Sequence, residues 1–413
     1  MAAALFALLT VPLSAQTDAA AFVTWARDHI APIDAETPTF RMLDPAIGNA
    51  RLIGVGETVH EAEPFLSFRF QLLQDMVRRH RVTALVLESG MPEAMAVDDY
   101  VHGRTATVDF SAALPGGFGE LEEIRLTMEW LREWNLGPGS KRPVSVYGAD
   151  LPNRSGSMVP ALDRLQELMA GDLVIKSLID SVRPAAVQIT AGWWRGASQK
   201  YEALPADVKT RLAQDVSLLA QRVQHLPAGD KDRLDWARRL AFLIQQNEEM
   251  LRLGAFSPTV PRDIALSENT LWVLGRLPKG ERAMYWAHNA HVQRVRIKGP
   301  SVPPGVFVAS GLRFDAVLGK EYFAIATAYG GLSMDDKSAP AGGSVDATLE
   351  SIGKGPYVLV LPRPAESSAV NAWLAEERPM RFQVGYLTVP LGAAFDAVVY
   401  FDGATPAARQ RNE

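Results

Sequence analysis

The chain of 413 residues contains no cysteine. That absence removes disulfide frameworks, thiolate nucleophiles and cysteine metal sites from consideration. It also lacks a basic excess: 42 Lys and Arg stand against 47 Asp and Glu, for a net charge of -5. A chain built to grip a phosphate backbone needs the opposite balance, so no nucleic-acid partner is expected. No stretch beyond the N-terminus approaches the roughly 18 apolar residues of a membrane span. A G-x-S-x-G nucleophile elbow is missing too, which argues against a serine acyl-enzyme. "GVG" at 54–56 lacks the spacing of a dinucleotide fingerprint. Nothing in the sequence specifies an oligomeric state.

What is present reads as a globular α/β chain, 47% apolar and 22% charged. The start, "MAAALFALLTVPLSAQ", pairs an apolar run with a small-residue site after Ala15. It resembles a secretory signal without its basic n-region, and implies a periplasmic or secreted protein. Seven short apolar runs then predict strands near 51–56, 82–89, 143–150, 282–288, 321–329, 356–362 and 394–401. Continuous apolar runs of this length suit a sheet covered on both faces. Helical spacing lies between the early ones. The expected fold is therefore a largely parallel or mixed sheet flanked by helices. Residues 155–255 carry helical periodicity and little strand signal. They predict an inserted helical subdomain along one side of a cleft, dividing a core of 16–154 and 256–413. Trp193 and Trp194 in that insertion are candidates for an apolar lid.

Ionisable residues collect at strand ends. "LIGVGE" ends in Glu57, with His60 three residues on; "ALVLE" ends in Glu88; "VSVYGAD" ends in Asp150; "AMYWAH" ends in His288, with His291 three residues on. In a sheet with parallel strands these ends share one edge, where ligand sites form. Arg69 shares a helical face with Phe65, Leu72, Leu73 and Met76. A cation there needs a partner, and Glu57 or Glu88 would serve. Pro261 predicts a helix start. It places Asp263 favourably for the helix dipole, whereas Arg262 gains nothing at that end.

"GETVH", "FLSFRFQLLQDMV", "ALVLES", "PRDIALSEN" and "YWAHNAHV", in that order, resemble the erythromycin esterase family. The likeness runs over roughly residues 45–400 and is loosest in the middle helices. It implies an α/β core with added helices and a deep cleft. It also implies hydrolysis of a small-molecule ester or lactone, such as macrolide ring opening, without a cofactor. The family's motif residues fall on Glu57, His60, Arg69, Glu88, Arg262, His288 and His291. Ala290 stands where many relatives carry glycine.

With cysteine and a serine elbow absent, a water nucleophile fits best. His60 is the expected general base, its basicity set by Glu57 or Glu88. Arg69, Arg262 or His288 is expected to hold the carbonyl oxygen or to protonate the leaving alkoxide. Two other readings compete. Glu57, His60, Glu88, His288 and His291 offer zinc or manganese ligands, although the spacing is not H-E-x-x-H. A non-catalytic protein that binds a small molecule, or acts in envelope polysaccharide maturation, is the third.

Overall fold

In a computed structural model, the chain is described at residues 13–34, 38–152, 156–253, 261–300, 308–331, 339–362, 367–383 and 385–409. Most of the apolar start and its proposed export signal thus lie outside the described residues.

Ten strands form among the described residues: β1 (Ile30–Pro32), β2 (Leu52–Glu57), β3 (Val82–Gly90), β4 (Ser145–Asp150), β5 (Arg282–His288), β6 (Tyr322–Tyr329), β7 (Tyr357–Val360), β8 (Glu377–Phe382), β9 (Gly385–Pro390) and β10 (Ala397–Phe401). Eight of them make one mixed sheet in the order β1-β7-β10-β6-β2-β5-β3-β4. The block from β10 to β4 is parallel throughout. At one edge β7 runs against the block, and β1 pairs antiparallel with β7, so it points the same way as the block. β8 and β9 pair antiparallel as a separate hairpin. All seven strands expected from the apolar runs are present.

The two sheet faces feed different cores, because side chains alternate along a strand. Ile53, Val55, Leu85, Met284 and Ile325 pack with the helices Glu63–His80 and Glu122–Leu136. Leu52, Ala84, Val86, Ala283 and Tyr285 pack on the opposite face. That second core continues without a break into the helices between residues 159 and 253 and into the helix Pro261–Arg276. The middle helices therefore cover one face of the sheet, beginning with Val159–Leu168 and Leu173–Ile189. No helix among the described residues is long and apolar enough to cross a membrane.

β2 lies between β5 and β6, so its C-terminal end sits mid-sheet with parallel neighbours on either side. Gly56 permits a close approach there. A Cβ at that position would fall 2.0 Å from Asn289 Oδ1. Asn289 in turn donates to Thr327 O (2.8 Å) and Thr58 Oγ1 (3.1 Å), tying the ends of β2, β5 and β6 together.

Candidate active site

Glu57 is the last residue of β2 and pairs in register with His288, the last of β5. The chain then turns through Thr58, Val59 and His60 before the helix Glu63–His80 begins. This turn is held firmly: Thr58 is fully buried, and its N–H donates to Thr327 Oγ1 (3.0 Å). It returns His60 towards the strand end, with Nδ1 2.5 Å from Glu57 Oε1. A carboxylate at that distance fixes the proton on Nδ1 in the neutral ring. Nε2 then carries the lone pair, and it has no hydrogen-bond partner among the described residues. The His60 side chain is 24% exposed, whereas Glu57 is 1% exposed. His60 is therefore the open end of a buried dyad. Its ring packs edge-on against Phe118 and His288, with centroids 5.3 and 5.1 Å away.

The other carboxylate oxygen, Glu57 Oε2, lies 2.8 Å from Arg69 Nη1. Arg69 comes from the buried face of the helix Glu63–His80, as its four-residue spacing predicts. Its Nη2 donates to the strand-end carbonyls of Val55 (2.8 Å) and Ala287. Burial pushes its pKa down against the opposing pull of Glu57 and Glu88, yet a guanidinium retains its charge at any working pH. Arg69 is thus turned inward on Glu57 and the strand ends.

Glu88 ends the apolar run of β3 at a bulge, where pairing with β4 shifts register between Leu87 and Gly90. Bulges re-aim side chains, and here the device turns a carboxylate into the site. Glu88 Oε2 accepts the His288 N–H (2.8 Å), and Oε1 accepts Arg262 Nη2 (2.7 Å). Burial opposes ionisation of Glu88, but His291, Arg262 and His60 outweigh it and hold the pKa well below the usual carboxylate range.

Arg262, at the start of the helix Pro261–Arg276, also grips Asp150 through Nη2 (2.7 Å) and Nε (3.0 Å). Asp150 is fully buried at the end of β4. Desolvation would lower the Arg262 pKa, yet the two carboxylates drive it well above the ordinary arginine value. Its Nη1 lies 3.3 Å from His291 Nε2. His291 Nδ1 bonds Asp263 Oδ1 at 2.8 Å. Burial works against a charged His291, but Asp263 and Glu88 prevail and raise its pKa. Asp263, which local sequence assigns to the helix dipole, instead supports this histidine and accepts the Ser310 N–H (3.2 Å).

His288 is placed differently from the sequence expectation. Its Nε2–H donates to Thr58 O (2.7 Å), and its Nδ1 accepts from Ala290 N (3.1 Å). Both ring nitrogens are engaged, and burial with neighbouring His60 lowers the pKa well below the usual value. His288 is a neutral ring that braces the Thr58 turn, leaving neither nitrogen for a substrate oxygen.

The seven residues singled out from sequence thus converge on the C-terminal edge of the parallel block. Asp150 and Asp263 complete the constellation. Asp150 was already legible as a strand end, whereas nothing in the sequence links Asp263 to His291. The β8–β9 hairpin also reaches the site unannounced: Phe382 packs edge-on against His288 (ring centroids 4.4 Å apart), and Gln383 N donates to Thr58 O (3.0 Å). The carboxylates are engaged by arginine and histidine side chains. Among the described residues, no group of three or more His, Asp or Glu side chains is arranged to hold a metal ion.

A family model described as erythromycin esterase matches residues 77–404 of the chain. Erythromycin esterase type II of Escherichia coli is 23% identical over 91% of this chain and 96% of that protein. Among solved structures, one titled as a succinoglycan biosynthesis protein aligns with a TM-score of 0.78 at 18% identity, covering 96% of this chain and 100% of that one. The erythromycin esterase EreC, in a mutant and open form, aligns with a TM-score of 0.73 at 19% identity, covering 90% of this chain and 96% of that one. Identities this low carry the fold and not the substrate.

Proposed function

The chain belongs to the erythromycin esterase family, and from that premise we propose that it hydrolyses a carboxylic ester or lactone with a water molecule activated by His60. The observation that carries this reading is the Glu57–His60 contact of 2.5 Å, with Nε2 left open at the exposed end. Ester hydrolysis needs a base to take a proton from water, and a neutral imidazole suits that task near neutral pH. Glu57 fixes the tautomer and stabilises the imidazolium that forms. Arg69 holds Glu57 in place through their buried ion pair.

The developing oxyanion needs donors already in position. We assign that role to Arg262, whose side chain is 21% exposed beside the dyad while Glu88 and Asp150 fix its plane. His291, held by Asp263, is the group placed to give a proton to the leaving alkoxide. His288 keeps the turn in shape. Protons balance in this scheme: one moves from water to His60 and one from His291 to the alkoxide, yielding acid and alcohol.

A metal-assisted route is the less supported reading, since two arginines occupy the carboxylates that a cation would need. Trp193, 45% exposed with Arg195 stacked 5.1 Å over its ring, is proposed as part of the wall for a large ligand. From the apolar start we also propose that the protein acts in the periplasm or outside the cell.

The test is a turnover screen over macrolides, other lactones, aryl esters and acylated saccharides, the last because of the succinoglycan-titled fold neighbour. A lactone product heavier by one water names both reaction and substrate class. No turnover across the panel by purified protein rejects the hydrolase reading and favours pure binding.

A further inference from the structure

Behind Glu57, on the side of the sheet covered by the helices Glu63–His80 and Glu122–Leu136, lies a cavity of about 30 Å³. Its apolar wall includes Leu66, Leu114, Phe118 and Ile124. Its polar lining includes Glu57, Arg69, Ser89 and Trp286. These four residues are 1%, 3%, 3% and 2% exposed. Each carries a buried polar atom without a hydrogen-bond partner: Glu57 Oε2, Arg69 Nε, Ser89 Oγ and Trp286 Nε1. Glu57 Oε2 does face Arg69 Nη1 at 2.8 Å, but as an ion pair without hydrogen-bond alignment.

Four residues with orphaned polar atoms lining one small space are not an ordinary core. Buried polar groups are nearly always satisfied, by protein or by ordered water. The space exceeds the roughly 10–15 Å³ that one water requires, and a held water needs two to four polar partners. The chemistry matches as well. Arg69 Nε–H and Trp286 Nε1–H only donate, ionised Glu57 only accepts, and the Ser89 hydroxyl does either. A water in this space that accepted from the first two and donated to the last two would complete its four bonds. The β3 bulge that turns Glu88 towards Arg262 also places the next residue, Ser89, in this lining.

We propose that this cavity is a built site for a single water, and that Ser89 and Trp286 are positioning residues acting through it. The water gives Glu57 Oε2 the aligned donor that Arg69 does not supply. It thereby fixes the carboxylate whose other oxygen meets His60 Nδ1. The positioning role rests on the hydrolase reading above; the water site does not.

Two measurements test it. A high-resolution crystal structure of the wild-type protein is expected to show one ordered water within hydrogen-bond distance of Glu57 Oε2 and Ser89 Oγ. A dry cavity overturns the proposal. On an ester that the enzyme turns over, Ser89→Ala and Trp286→Phe are each expected to lower kcat about tenfold with KM unchanged. Loss of a donor to Glu57 strengthens its pull on the His60 proton, so the acid limb of kcat/KM moves to higher pH in both variants. Water density together with wild-type profiles in both variants overturns the positioning role. If no ester is turned over, the hydrolase reading falls, and the density alone decides the water site.

Discussion

Nδ1 of His60 lies 2.5 Å from Oε1 of Glu57, and the two residues are three apart in sequence. The buried strand end supplies the carboxylate and the turn supplies the ring. A base assembled this way depends little on the rest of the site for its geometry. Replacing His60 with Asn removes the base while keeping a polar group of similar reach to Glu57. General-base contributions run at about 10²–10⁴-fold, and kcat is expected to fall within that range. Because His60 is partly exposed, the thermal transition should stay near that of the wild type. Undiminished turnover in purified His60→Asn protein would sink the assignment.

The Glu57–Arg69 pair gives a prediction about stability that is separable from catalysis. Both side chains are almost fully buried. Breaking such a pair from one side leaves a charge without its counter-ion, at roughly 3–5 kcal/mol. Glu57→Gln is therefore expected to lose stability on that scale in urea titration, and activity with it. The double variant Glu57→Gln with Arg69→Met removes both charges and should regain much of the stability while remaining inactive. A double variant as unstable as the single one would show that the ion pair is not what Glu57 contributes to the fold.

Arg262 contacts Glu88 and Asp150 at the same time, through Nη2 to both and Nε to Asp150. Lysine preserves the charge but not the planar fork. Arg262→Lys is expected to reduce kcat/KM by about a hundredfold, on the scale of removing one oxyanion donor. Asp150→Asn retains an acceptor, and its loss should be smaller. The order of the two effects, read from steady-state kinetics, checks that Asp150 orients Arg262 and not the reverse.

The strands were legible because each is an unbroken apolar run, and the helix carrying Arg69 because its buried residues recur at helical spacing. The Glu57–His60 contact was readable for a similar reason: both members sit within four residues of one strand end. Arg262 and Asp150 meet across 112 residues, a pairing that no local pattern encodes. Asp263 misled because a helix start already accounts for an acidic residue there. β8 and β9 escaped notice because "ERPMRF" and "GYLTVP" mix charge and proline with apolar positions. Their alternation acquires meaning only when the two segments pair and bring Phe382 to His288.

Gly56 offers a check on the packing beneath the dyad. A methyl group there meets Asn289 Oδ1, and Asn289 is held by Thr58 and Thr327. The side chain cannot swing away without giving up those bonds. Gly56→Ala is expected to cost about 1–3 kcal/mol of stability, the usual range for overpacking a core. Activity should fall as well, since the Thr58 turn carries His60. A variant as stable and active as the wild type would mean that Asn289 is not needed to lock the strand ends.

Asp346 makes the hairpin's attachment sensitive to pH. It is fully buried, and its Oδ2 accepts the Arg381 N–H of β8 at 2.8 Å. Desolvation raises its pKa to about 6, from 3.8 in an exposed carboxyl, despite that bond and the Arg381 charge. The folded protein thus holds this proton more tightly than the unfolded chain does. Its contribution to stability is complete below about pH 4, declines as pH rises towards 6, and is gone above that. The span corresponds to roughly 3 kcal/mol. Asp346→Asn abolishes the titration and retains an acceptor for the Arg381 N–H. Other groups titrate in both proteins, so the informative quantity is the difference between variant and wild type. That difference in unfolding free energy is expected to be near zero at pH 4 and to grow in favour of the variant up to about pH 6.5. A difference that is flat across this range, or that shrinks with rising pH, would mean that Asp346 does not hold its proton in the folded state.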